Sequence, residues 1–186
     1  MNLDVVLDRF VEAVESSQIH TEASVCDLIA QAFRDTVPLD PHQVIREYPL
    51  NGKRVDIWVA AHACAIEVKF HREVRSGVNR PLTMQFGQLL ADIRRLAGLS
   101  AARQRALVLI TDASGLTHLD NKALLPTSTT VKTLGPKHIA TLPDSARRPI
   151  EFEGPWIQVR VTRVWKRRVR GAGQAFAWEI EPIGDT

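Results

Sequence analysis

Asp56, Glu67 and Lys69 are three residues whose types and spacing suit one piece of chemistry. Asp56 stands in Arg54-Val55-Asp56-Ile57-Trp58-Val59, and Glu67 and Lys69 stand in Ala65-Ile66-Glu67-Val68-Lys69-Phe70. Read as strands with a period of two, the first run points Val55, Ile57 and Val59 one way and Asp56 and Trp58 the other. The second points Ile66, Val68 and Phe70 one way and Glu67 and Lys69 the other. Burying two carboxylates and an amine in a sheet is costly unless they are paired or bind a cation. A hard divalent ion such as Mg²⁺ satisfies both carboxylates. Such an ion activates water and acts as a Lewis acid, while a lysine ammonium supplies fixed positive charge, a combination suited to hydrolysing a phosphodiester. The chemistry sets a condition on register. In a hairpin, Asp56 joins Glu67 and Lys69 on one face only if paired residue numbers sum to an odd value, or if a bulge resets the pleat.

Other elements must position this hairpin. Leu3, Val6, Leu7, Phe10, Val11 and Val14 recur at helical spacing. A second helix is predicted from a Thr21 N-cap, with Val25, Ile29, Ala32 and Phe33 on its apolar stripe, ending before Pro38. Strands are predicted at Val44–Tyr48, Arg54–Ala60 and Ala65–Phe70, with Asn51-Gly52 as a turn before the second. A helix follows over Leu82–Leu96, then the continuous apolar run Ala106–Thr111, as expected of a buried central strand. Leu116–Leu125 reads as a short helix and Pro126–Pro149 as a meander. Trp156–Lys166 and Gln174–Glu181 read as strands around a Gly171-Ala172-Gly173 turn. The order implies an α/β layered domain with an antiparallel start.

The 186 residues suit one domain with a sizeable core. No apolar run reaches membrane-span length, and the acidic, amphipathic start is unlike a signal or transit peptide, so a cytoplasmic location without membrane contact is expected. Cys26 and Cys64 lie in no zinc-binding spacing and read as small buried hydrophobes. Charge is uneven. Residues 1–50 carry nine acidic and three basic side chains, whereas residues 51–186 carry twelve acidic and twenty-one basic ones, which points to a polyanionic partner on one side.

Asp56, ten intervening residues and Glu67-Val68-Lys69 together resemble the D-x(n)-E-x-K core of the PD-(D/E)xK, or restriction-endonuclease-like, nucleases. The strand, strand, strand, helix, strand order over residues 21–112 is similar to that fold. Val55 replaces the proline of the family's name. The resemblance implies a mixed central sheet flanked by helices, a core at 21–112, and helix 3–14 and a β-rich tail at 113–186 as additions within one domain. It further implies Asp56 and Glu67 as ligands of Mg²⁺, with Mn²⁺ able to substitute, and the Val68 carbonyl as a third ligand. Lys69 would orient water and stabilise the phosphate. Glu22 matches the acid that many members carry on the first core helix, Gln85 a glutamine after the third strand, and Glu47 an acid on the first strand. The substrate implied is DNA, cut as an endonuclease in restriction, phage defence or repair. A homodimer is open, with helix 3–14 as a candidate contact, and so is a protein partner in a defence or repair system. Two alternatives stand beside cleavage: a nucleic-acid-binding or assembly subunit of the same fold, and a nuclease toxin.

Basic residues flank this core. Arg72, Arg75 and Arg80 lie in the loop after the third strand. The stretch 156–170 holds six Lys or Arg and no acid. Regular alternation groups Arg160 with Lys166, opposite Val159, Val161 and Trp165, and makes Arg160, Lys166, Arg167 and Arg168 candidate phosphate contacts. Trp156, Trp165 and Trp178 read as core, and His62 and His71 as surface histidines.

Overall fold

The stripe Leu3, Val6, Leu7, Phe10 and Val14 forms the buried face of helix α1 (Leu3–Glu15). It packs on α2 (Glu22–Thr36), which begins at the expected cap: Ser24 N donates to Thr21 Oγ1, and Thr21 N donates to Ser24 Oγ. The computed structural model describes residues 2–15, 21–38, 40–50, 52–71, 82–121, 125–127, 130–170 and 173–184.

Three antiparallel strands follow, β1 (Val44–Leu50), β2 (Lys53–Val59) and β3 (Cys64–His71). Gly52, at φ 75°, takes the left-handed turn position between the first two. Helix α3 (Leu82–Ala97) leads to β4 (Gln104–Thr111), parallel to β3. Cys64–Val68 and Ala106–Thr111 are buried throughout, which explains their apolar runs: a parallel pair is covered on both faces.

Beyond β4 come α4 (Ala113–Asn121), β5 (Val131–Leu134), α5 (Pro136–Ala140), α6 (Asp144–Phe152), β6 (Val159–Val169) and β7 (Gly173–Pro182). The segment expected as a meander thus contains a strand and two helices. The β-rich tail is no appendage, because β7 pairs with β4 and all strands join one seven-stranded mixed sheet in the order β1-β2-β3-β4-β7-β6-β5. Helices α1 and α2 cover one face over a core including Ile57, Ile66, Val68 and Val108. On the other face, α3 to α6 cover a core including Trp58, Ala65, Leu107 and Trp178. The architecture is α/β, a mixed sheet between helical layers. The apolar stripe of α1 is spent on this chain's own core. No helix among the described residues is long and apolar enough to cross a membrane.

Candidate active site

The β2–β3 ladder pairs Ile57 with Ile66, Trp58 with Ala65 and Val59 with Cys64, the odd-sum register that convergence requires. The ladder stops at Ile57. Beyond it, Val68 N donates to Asp56 Oδ2 at 2.7 Å and Phe70 N donates to Glu22 Oε2 at 3.3 Å. Two alternate amides of β3, which an antiparallel ladder would satisfy with carbonyls, are met here by two carboxylates. Asp56 therefore works in the plane of the sheet, at a fork between β2 and β3.

A slip of the pleat accompanies the fork. Val55 and Trp58 pack in one core cluster, and so do Ile45 and Tyr48, although residues three apart in a regular strand face opposite sides. Val55 thus parts from Ile57 and Val59, contrary to simple alternation. The slip falls where Glu47 of β1 takes a left-handed φ of 49°, between the pairs Arg46–Ile57 and Tyr48–Val55. Non-glycine residues seldom adopt that conformation. The Glu47 side chain is exposed and pairs with Arg54 at 3.1 Å.

Helices reach the fork from both faces of the sheet. Glu22, in the first turn of α2, places Oε1 3.2 Å from Lys69 Nζ, and Asp92 of α3 places Oδ2 3.5 Å from it. Lys69 Nζ also donates to the Val68 carbonyl at 3.0 Å. Deeper in the α3 face, Arg95 Nη2 lies 2.8 Å from Glu67 Oε1 and 2.7 Å from Asp92 Oδ1. Arg95 Nη1 lies 4.0 Å from Glu153, which also pairs with Lys53. Only 1% of Glu67 and 6% of Asp92 is exposed. Despite the ion pairs, Glu67 Oε1 and Asp92 Oδ2 lack an aligned hydrogen-bond donor among the described residues.

The charges act on each other. Burial, then the Asp56 charge, pushes the Glu67 carboxyl well above its ordinary value against the pull of Arg95. Burial also raises Asp92, opposed by Lys69 and Arg95. Burial alone would lower the Lys69 ammonium, but Asp92, Glu22, Asp56 and Glu67 outweigh it and hold the lysine firmly protonated.

Among the described residues, no three His, Cys, Asp or Glu side chains are arranged to hold a metal ion as they stand. Their present bonds explain this: Asp56 is turned to an amide, Glu67 to Arg95, and the Val68 carbonyl to Lys69. Asp56 and Glu67 are the carboxylates of the fork that could hold a divalent cation once turned from these partners. Among the described residues, Asp56, Glu67, Glu22 and Asp92 gather around Lys69 and Arg95, and Glu67 Oε1 and Asp92 Oδ2, though ion-paired, lack an aligned hydrogen-bond donor.

Gln85 stands on α3, two turns before Asp92 on the same side and half-buried. Arg72, Arg75 and Arg80 lie outside the described residues. In β6, a bulge between Arg163 and Trp165 resets the alternation. Val159 and Val161 face the α3 layer, whereas Trp165 and Val169 face the α1 layer, so Arg160 and Lys166 lie on opposite faces instead of one. Arg160 is paired with Glu181 at 2.8 Å, and Arg167 with Asp8 at 3.0 Å. Lys166 and Arg168 are exposed on the α3 side. Lys166 is 5.2 Å from the centre of the Phe176 ring. The cross-strand row Lys69, Leu109, Phe176, Lys166 puts the two lysines on the same face and at the same end of the sheet, roughly 14 Å apart at ordinary strand spacing.

The indole N–H groups of Trp156, Trp165 and Trp178 donate to Leu134 O, Asp8 and Pro126 O, and Trp165 and Trp178 are buried. His71 is no surface group. It is half-buried, edge-on to Phe86 at 5.5 Å, and burial followed by the Lys69 charge lowers its pKa to about 4.

The pairing of half-buried Arg95 with buried Asp92 in the site escaped sequence reading. By helical spacing Asp92 shares a polar face of α3 with Gln85 and Gln88, which reads equally as a solvated stripe. The Asp92–Arg95 spacing of three, beside the buried Leu89, Ile93 and Leu96, is the signal that marks it. Comparison of the chain with protein-family models, curated proteins and solved structures finds no match.

Proposed function

We propose that this protein is a divalent-metal-dependent endodeoxyribonuclease of the PD-(D/E)xK type, with a restriction-endonuclease-like core. One observation carries the proposal: Asp56, Glu67 and Lys69 converge at a fork in the sheet, where the Glu67 carboxyl is almost wholly enclosed. A solvated ion pair at a sheet edge would not enclose a carboxyl in this way. When bound, Mg²⁺ would polarise the phosphate and make its water a stronger nucleophile.

The protein's own groups have separable tasks. Asp56 is fixed by the Val68 amide, so its carboxylate holds a set direction toward the fork. Glu22 and Asp92 clasp Lys69 from two sides and keep it charged. A lysine so held serves as a fixed cation facing the phosphate and not as a proton acceptor. Lys166 and Arg168, on the same face and at the same end as Lys69, suit the flanking phosphates of a DNA strand.

The test is cleavage of supercoiled, linear, single-stranded and branched DNA, and of RNA, in Mg²⁺ or EDTA. Glu67→Ala and Lys69→Ala are expected to lower cleavage by about a hundredfold or more while leaving DNA affinity largely intact. Full activity in either variant would falsify the assignment. Salt-sensitive DNA binding by the wild-type chain without cutting in any metal would favour a non-cleaving binding subunit.

A further inference from the structure

The geometry points to Arg95 as an internal counter-ion that competes with a divalent cation for Glu67 and thereby sets metal affinity. This inference rests on the metal site proposed above, and it concerns a residue outside the D-x(n)-E-x-K pattern. Arg95 is well placed for the role. One nitrogen, Nη2, sits between Glu67 Oε1 at 2.8 Å and Asp92 Oδ1 at 2.7 Å, and Asp92 links in turn to Lys69. Glu67 is almost wholly enclosed, so its negative charge must be met by a protein cation, a metal or a proton. Arg95 supplies the first. Its guanidinium is charged at every working pH, so no proton loss from Arg95 releases Glu67, and at a fixed pH a competing cation must do so.

The hold is incomplete in a way that suits exchange. Glu67 Oε1 is near Arg95 but has no aligned hydrogen-bond donor among the described residues. Asp92 and Glu153 give Arg95 alternative carboxylates when Glu67 turns away, so the arginine is never left unpaired. Asp92 is thus shared between the cation that faces the phosphate and the cation that guards the ligand. Arg95 is a positioning residue here: it touches Glu67 and Asp92, not the reacting atoms.

The experiment is Mn²⁺ titration by calorimetry of the full-length wild type, Arg95→Met and Arg95→Lys, with thermal unfolding in EDTA and in Mn²⁺. Removing a buried positive charge beside the ligands is expected to tighten Mn²⁺ binding by about tenfold in Arg95→Met. The same change should lower its melting temperature in EDTA and enlarge the rise that Mn²⁺ produces. Arg95→Lys keeps a charge but not the forked reach, and should fall between the two. A merely structural arginine would lower stability without tightening metal binding. Folded Arg95→Met with wild-type or weaker Mn²⁺ affinity overturns the inference. Should Arg95→Met fail to fold, an Arg95→Lys affinity equal to wild type does the same. If the wild type itself binds no Mn²⁺ at millimolar concentration, the metal site falls and the inference with it.

Discussion

Gly87→Ala probes the contact that sets where α3 holds Asp92 and Arg95. An ideal Cβ on Gly87 would stand 2.5 Å from the Ala146 carbonyl oxygen, 2.7 Å from its Cα and 3.0 Å from its carbonyl carbon. These are backbone atoms of α6, so no rotamer change relieves the overlap. Ordinary contact between such atoms lies at about 3.5–4 Å, and α6 must therefore retreat from α3 by about 1 Å. Both helices are packed there through buried side chains, including Phe86, Leu90, Ala146 and Ile150. Overpacking of this kind costs typically about 1–3 kcal/mol, and a clash with backbone belongs at the upper end. Alanine returns about 1 kcal/mol of helix propensity. The net expectation is a loss of about 2 kcal/mol, or about 4–8 °C in melting temperature for a chain of this size.

Urea unfolding followed by far-UV circular dichroism measures the loss as a lower midpoint with an unchanged slope. The displacement also bears on the site. Glu153, just past the end of α6, contacts Arg95 and Lys53, so moving α6 disturbs the Arg95 network while leaving every charged group in the sequence. A Gly87→Ala protein as stable as wild type, or more so, would refute the crossing of α3 and α6 at this glycine.

Further expectations concern charge and protonation. Lys166→Ala and Arg168→Ala should each reduce the slope of log affinity against log salt for duplex DNA by about one, measured by fluorescence anisotropy. Arg160→Ala, on the opposite face and paired with Glu181, should leave that slope unchanged, and an equal effect from all three would remove the case for a directional track. The lowered pKa of His71, about 4, means that the unfolded chain binds a proton which the folded chain refuses. Stability should therefore fall as pH drops from about 6.5 toward 4, by at most about 3 kcal/mol from this group. A His71→Gln protein should lose that part of the acid limb, and an identical pH profile would count against it. Burial pushes the thiols of Cys26 and Cys64 up to about 12, so neither should react with iodoacetamide at pH 8 until the protein is unfolded, as mass spectrometry can establish. Rapid labelling of the native protein would contradict their placement.

Local chemistry was well written in the chain. The stripe of α1, the Thr21 cap, the three antiparallel strands, α3 and the apolar run of β4 all follow from periodicity and turn residues, which act over a few positions. So did the expectation that Asp56, Glu67 and Lys69 share a site, although the odd-sum β2–β3 ladder runs only from Ile57 to Val59 and stops short of Asp56.

The tertiary structure decided what those rules leave open. Alternation assumes an unbroken pleat, and it failed at the slip beside Glu47 and at the bulge in β6, where the chain bends to satisfy neighbouring strands. The burial of Asp92 and Arg95 depends on which side of α3 meets β3, and helical spacing alone cannot choose between a solvated polar stripe and a buried ionic one. Strands β6 and β7 join the same sheet because β7 pairs with the edge of β4, a partner distant in sequence that only folding brings alongside. Sequence periodicity fixes the direction of a side chain relative to its own backbone; only packing determines what lies in that direction.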